Sequence, residues 1–313
     1  MAGGLKISEM EPVLEAKSAD IIPIIQDQKN KRISVQDLLK TTMKKEAGTS
    51  FSNLGMKVNE QGLIVPSEEV QISSDYHSHN LFRGKNLGEI FSAKDIEHLT
   101  SGNFENLHVG DYWLNKGVHW RIAGINWLNR CGDTDFNKPH LIIVPDENLY
   151  NGQMHTTLSG WYEEGAANTT KGGYVESDMF KTGLTEANRR AEEVFPGHVA
   201  EHKVYLCNAV DGSGKPTNGA WFAVKGCLMS ERMVYGNPIF AWANNTGWLS
   251  NYQVEKSQLP LFAQAHDMIS NRRWFWLRDT VSSARFAGVD SGGIADDGSA
   301  SRSDGVRPYF VIA

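Results

Sequence analysis

Cysteine is scarce. There are three in 313 residues, Cys131, Cys207 and Cys227, and no CxxC pair among them. That excludes a disulfide framework, a zinc ribbon and a thioredoxin-type redox motif, and it suits reduced, packed thiols in a protein made in a reducing cytosol. Long apolar runs are missing too. The longest unbroken aliphatic stretch is Leu141-Ile142-Ile143-Val144, far short of the ~20 residues that cross a bilayer, so membrane insertion is not expected. The first ten residues lack the apolar core of a signal peptide, which argues against classical export. Basic residues are not in excess: 31 Lys and Arg face 37 Asp and Glu, a net charge of −6. Such a chain is poorly suited to binding a phosphate backbone, and nucleic acid is not an expected partner. No heptad run and no repeat of fixed period occurs, which argues against a coiled-coil stalk and a solenoid.

What remains is globular in composition, with 40% hydrophobic and 22% charged residues. Its aromatic content is unevenly spread. All nine tryptophans fall between Trp113 and Trp276, so the first hundred-odd residues lack the large side chains that dominate core burial. The early part has a logic of its own. Ile21, Ile22, Ile24 and Ile25 form a short β-type run around Pro23, residues 27–30 are turn-formers, and 31–35 alternate as a second strand does, with Ile33 and Val35 apolar. Ser34 and Asp37 have capping-box spacing and open a short predicted helix, 35–40, carrying Leu38 and Leu39. A hairpin and one helical turn are too small to fold alone, so this apolar set must bury against its own globe or another protein. Residues 46–85, rich in Ser, Gly, Asn and Glu, read as an extended connector with a few strands. The expected organisation is therefore 1–45 attachment, 46–85 connector and 86–313 globe.

The globe opens with a predicted helix, capped by Ser92 and Asp95 and ended by Gly102. A hairpin follows over 109–123, turning at Asn115-Lys116-Gly117, with glycine where φ is positive. The run 141–144 is a buried strand by composition. A second amphipathic helix is expected over 185–195, stopped by Pro196-Gly197. Shorter strands are expected at 203–206, 221–224, 274–278, 285–290 and 306–312. Two helices among many short strands, joined by long loops, make an α+β domain.

Catalytic and metal patterns are weak. His198 and His202 have i, i+4 spacing, but no HExxH surrounds them, and Pro196-Gly197 precedes them. His77 and His79 lie near Asp75 in the connector, where three subunits together would supply a ligand set; no metal or other cofactor is expected. The pairs Glu163-Glu164 and Glu192-Glu193 point different ways along the chain and read as solvated faces rather than as a glycosidase pair. No GxSxG elbow accompanies the histidines. Trp113, Trp120, Trp127, Trp274 and Trp276 are expected in the core, while Trp242 and Trp248, flanking the polar Asn244-Asn245-Thr246-Gly247, are candidates for an exposed role. No catalytic residue is expected.

Between residues 279 and 304 the sequence is rich in Asp, Ser and Gly. Phe286 and Val289, with Ala284 and Ala287 nearby, can anchor a strand, Gly292, Gly293 and Gly298 permit tight turns, and Arg285, Asp290, Ile294, Asp296, Asp297, Ser299, Arg302 and Asp304 are free to point outward, these and Ala284 being the candidate binding residues. Such a stretch fits either plain solvated turns or a tolerant segment displayed by a rigid scaffold; with Phe286 as its one aromatic, any binding by one copy is expected to be weak and to depend on multivalency.

Eight segments then carry a resemblance: 109–113 (VGDYW), 120–122 (WRI), 172–179 (GGYVESDM), 228–231 (LMSE), 234–236 (VYG), 257–262 (SQLPLF), 276–279 (WLRD) and 305–310 (GVRPYF). In this order and spacing the chain from about residue 82 onward resembles phage tail and appendage domains with a C-type-lectin-like fold, related to phage tropism determinants and to formylglycine-generating enzymes. The piece around 21–39 resembles the virion-attachment segment of phage fibres. The resemblance implies a ligand-binding surface between the WLR strand and the closing GVRP strand, at 279–304, sometimes rewritten by a diversity-generating retroelement. It implies a tail or head fibre in the virion, assembled in the host cytoplasm. Its first part would grip other virion proteins, and its globe would bind a host-surface glycan or protein, as a homotrimer or, less commonly, a dimer. Two alternatives stand beside it: a decoration protein of capsid or tail that binds no receptor, and an enzyme acting on surface glycan or protein. Formylglycine-generating chemistry is not implied, because no cysteine follows Cys227, and the EPN, QPD and WND triplets of calcium-dependent lectins are missing.

Overall fold

The computed structural model describes residues 80–129, 131–134, 136–155, 168–242 and 258–313 in full, together with the backbone of four strands before residue 80. The chain forms two compact units, 1–73 and 74–313. In the first, β1 (Ile21–Gln26) pairs antiparallel with β2 (Lys29–Ser34), from Ile21 opposite Ser34 to Gln26 opposite Lys29. This is the expected hairpin, with its second strand starting two residues early. β3 (Met56–Val58) pairs with β4 (Ile64–Pro66). The expected helix 35–40, with Val35, Leu38 and Leu39, lies outside the described residues, as do His77 and His79.

The second unit is α+β. β5 (Asn86–Gly88) leads to α1 (Ala93–Thr100), where the expected capping box is complete: Ser92 accepts from the Asp95 amide, and the Asp95 carboxylate accepts from the Ser92 amide at 2.9 Å. That carboxylate also accepts the Trp113 indole N–H at 3.3 Å, so a local helix start is tied to the next strand. β6 (Tyr112–Asn115) and β7 (Val118–Ile125) form the predicted hairpin, and both residues between them, Lys116 (φ 49°) and Gly117 (φ 79°), are left-handed, the geometry that matches strand twist in a two-residue turn. β8 (Leu141–Pro145) is buried along its whole length. β9 (Tyr150–Gly152), α2 (Thr185–Val194), β10 (His202–Val210), β11 (Pro216–Val224), β12 (Gly226–Leu228), α3 (Glu231–Tyr235), α4 (Pro260–Gln264), β13 (Phe275–Ser282), β14 (Arg285–Val289), β15 (Ala295–Ser299), β16 (Asp304–Val306) and β17 (Pro308–Ile312) complete the described strands and α-helices.

Two sheets carry the globe. One runs β12-β17-β8-β7-β6-β5, the other β15-β14-β13-β16-β9, and β10 with β11 forms a separate long hairpin. The core lies around β8 and β17, both buried throughout, because neighbours cover both faces. Trp113, Trp120, Phe91, Phe195 and Phe310 interlock there, with ring centroids 5.3–6.2 Å apart, the edge and tilted geometries that aromatic quadrupoles favour. Ala187, Ala191 and Val194 turn the apolar stripe of α2 onto this core.

Three expectations need correction. The globe begins before residue 86: Arg83 pairs with the buried Asp111 carboxylate, and Asn80 exchanges hydrogen bonds with Ile125. The closing strand is two strands. At Arg307 the chain leaves the β13 sheet and enters the β8 sheet. Pro308, which has no backbone N–H to continue a ladder, follows the break, and the buried Arg307 guanidinium fixes the crossing point by donating to the carbonyls of Pro145, Ile269 and Met268 at 2.7, 2.8 and 3.0 Å. The strands expected at 203–206 and 221–224 are the inner halves of nine-residue strands.

Candidate binding surface

The stretch 279–304 is not a loop. β13 turns into β14 and β14 into β15 as an antiparallel meander, with Arg285 opposite Ser299 and Val289 opposite Ala295, before β16 returns parallel to β13. Backbone pairing between strands replaces a tolerant coil. Successive side chains on a strand point to opposite faces, so the register divides the expected site. Arg285, Asp297 and Ser299 share one face, and Asp296 lies on the other.

On the first face Arg285 is exposed and its guanidinium pairs with Asp297 across the strands. On the second, Asp296 accepts the Trp274 indole N–H at 2.9 Å. The Trp274 ring lies against the bare backbones of Gly288 and Gly298. A β-carbon at Gly288 would fall 2.0 Å from that ring, and one at Gly298 2.9 Å from Trp276. Gly298 is therefore a seat for rings within a strand and not the turn its composition suggested. Over the Trp274 ring sits the Arg302 guanidinium, 4.4 Å from the centroid, and Arg302 is itself pinned to Asp304, with Nη2 to Oδ1 at 3.0 Å. Asp304, half-buried, opens β16. The half-buried Trp274, expected in the core, is thus the centre of a charged surface cluster. The readable signal for it was Gly288 inside the predicted strand 285–290.

Other expected residues serve the turns. The Asp290 carboxylate accepts from the amides of Gly292 and Ile294, both at 2.8 Å, and closes the β14–β15 connection around Gly293 (φ 87°). Ile294 stands at its tip, 67% exposed. Half-buried Ala284 accepts the Ala300 amide through its carbonyl at 2.9 Å, and Ser299 accepts the Arg302 amide at 2.8 Å. Alanine at Gly288 is expected to push Trp274 off its seat and to cost ~1–3 kcal/mol. Tryptophan fluorescence and thermal unfolding would register both, and an unchanged spectrum and midpoint would show that the ring is not held there.

Beside the meander, a second presented segment rests on a buried acid. Glu231, at the start of α3, accepts the amides of Ile239, Phe240 and Ala241 at 2.6, 3.1 and 3.0 Å, while its own amide donates to Asp279 at 2.6 Å. Burial, opposed by the Arg278 guanidinium, pushes the Asp279 carboxyl up to about 6. The clamp holds out Ile239, Phe240 and Trp242, all exposed, and the Lys215 ammonium lies 5.8 Å from the Trp242 ring centroid. Trp248 lies outside the described residues.

The histidine pair does not form a site. α2 ends at Val194, so His198 and His202 share no helix. His198 packs edge-on to Phe91, whereas His202 is buried with its Nε2 3.1 Å from the Tyr309 hydroxyl. Burial pushes His202 down to about 3 and His155 to about 4. All three cysteines are buried as thiols outside any disulfide, and burial raises the Cys207 thiol to about 11, which makes it a poor nucleophile. Among the described residues no three His, Cys, Asp or Glu side chains gather as a metal-binding group, and no helix is long and apolar enough to cross a membrane. No protein-family description matches the chain, and comparison with curated proteins and with solved structures finds no significant match.

Proposed function

We propose that this chain is a phage virion appendage, a tail or head fibre, whose C-type-lectin-like globe binds the host cell surface through its last sheet. One observation carries the reading. The meander offers charged side chains on both of its faces, Arg285 with Asp297 on one and Arg302 with Asp304 beside Trp274 on the other, on a backbone made rigid by strand pairing and by two glycine-seated tryptophans. That is a scaffold presenting a polar surface at little further ordering cost on binding. The pairs themselves are too exposed to be there for stability, being worth ~0.2–1 kcal/mol each. The isoleucine-rich hairpin β1–β2 would grip other virion proteins, and a homotrimer would multiply a weak site.

Particles carrying Arg285→Ala with Arg302→Ala are expected to adsorb to host cells at least ~10-fold more slowly, with unchanged incorporation and melting, because exposed substitutions seldom shift stability by more than ~0.5 kcal/mol. Normal adsorption by that variant would overturn the receptor-binding reading and leave a decoration protein.

A further inference from the structure

We propose that the cleft lined by Leu128, Cys131 and Phe136 on one side and by the β10–β11 hairpin on the other is a binding site for a small organic cation, an ammonium group carried on an apolar body. Its place in the fold differs from that of the meander, and it does not depend on the receptor reading. The cleft has a volume of about 200 Å³. A dry cavity of ~150 Å³ takes a benzene molecule, so this one has room for such a ring with a short substituent.

Its walls are apolar and held in place. Leu128, Cys131, Phe136 and Trp221 line it. Trp221 is propped by Tyr205, ring centroids 5.5 Å apart, and Gly132 stands so close that a β-carbon there would lie 3.4 Å from the indole. Phe136 is set edge-on against His140 at 4.8 Å. A preformed aromatic pocket needs little reorganisation to receive a guest. Its inner end is uncharged at neutral pH, since the buried His202 there is bonded to Tyr309 and burial holds it neutral.

Charge at the mouth decides the guest. Lys203 is engaged with Asp133 at 3.1 Å. Glu201 is exposed and makes no ion pair among the described residues. An aromatic-walled cleft whose edge carries, among the described residues, one carboxylate outside any ion pair attracts a cation through both the ring quadrupoles and the anion, and it repels a carboxylate.

The test uses the full chain at pH 7 with benzylamine, benzyl alcohol and benzoate as probes, followed by calorimetry and by tryptophan fluorescence. Benzylamine is expected to bind at least ~10-fold more tightly than benzyl alcohol, with benzoate weakest. Glu201→Gln should lower the amine to the affinity of the alcohol while leaving the alcohol unchanged. Ala223→Leu should block all three, because Ala223 lines the cleft yet is exposed, so the added methyls fill the opening without disturbing the core. Equal affinity for amine and benzoate would overturn the proposal, as would no binding of any probe at millimolar concentration or undiminished binding by a folded Ala223→Leu variant.

Discussion

Acidification from pH 7 to pH 4 is expected to cost the globe several kcal/mol, and two buried histidines are the main cause. His202 and His155 titrate near 3 and near 4 in the folded chain, against 6.5 when exposed, in both cases because burial penalises the charged ring. A group with a depressed folded value contributes stability that is complete above its unfolded value and is lost as pH falls toward the folded one. Taken to completion, protonation in the unfolded chain alone would favour unfolding by ~5 kcal/mol for His202 and ~3 kcal/mol for His155. Asp279 works the other way. Its folded value is raised to about 6, so its contribution is complete below ~3.8, shrinks as pH rises through 6, and returns ~3 kcal/mol on acidification. Histidine wins, and the net loss is comparable to the whole stability of a marginal domain. Urea unfolding at pH 7, 5 and 4 measures it. His202→Gln should flatten the acid limb by about one proton. Equal stability of the parent chain at pH 7 and pH 4 would contradict the neutral, buried state of both rings.

Glu231→Ala is expected to be among the most damaging single changes, at ~3–5 kcal/mol, or roughly 10 °C in melting temperature for a unit of this size. The carboxylate is fully buried and three consecutive segment amides, of Ile239, Phe240 and Ala241, donate to it. Alanine would leave all three without their acceptor and leave a void at the base of α3. Glu231→Gln should lose about half as much, since one oxygen still accepts while the new amide group faces a donor. The consequence extends beyond stability. Ile239, Phe240 and Trp242 are presented only because this clamp holds their backbone, so hydrogen exchange at 239–241 should rise sharply in either variant. Unchanged protection there would show that the segment is positioned by something other than Glu231.

Legibility in the sequence followed the range of the interaction involved. The capping box at Ser92 and Asp95, the Lys116-Gly117 turn, the β1–β2 hairpin and the all-aliphatic β8 depend on residues within a few positions of one another, and each is found where it was expected. The α+β class follows from them. That the charged residues of 285–304 reach the surface was also legible, since Asp, Ser and Gly favour solvated positions.

Where those residues go was a different matter. Composition rich in glycine reads as turn, but Gly298 lies in a strand, where tryptophan rings from 276 and 274, outside its local window, occupy the space of a side chain. The i, i+4 spacing of His198 and His202 meant nothing once α2 stopped at Val194. The burial of the Arg307 guanidinium depends on carbonyls from residues 145, 268 and 269, and the cleft on two segments some 70 to 90 positions apart. Local order (caps, tight turns, apolar runs and fold class) was determined by the chain alone, because backbone sterics and short-range hydrogen bonds act between near neighbours. Which face a charge occupies, which acid is buried and where a cavity opens were decided by tertiary packing, since each depends on the desolvation and volume that distant segments impose on one another.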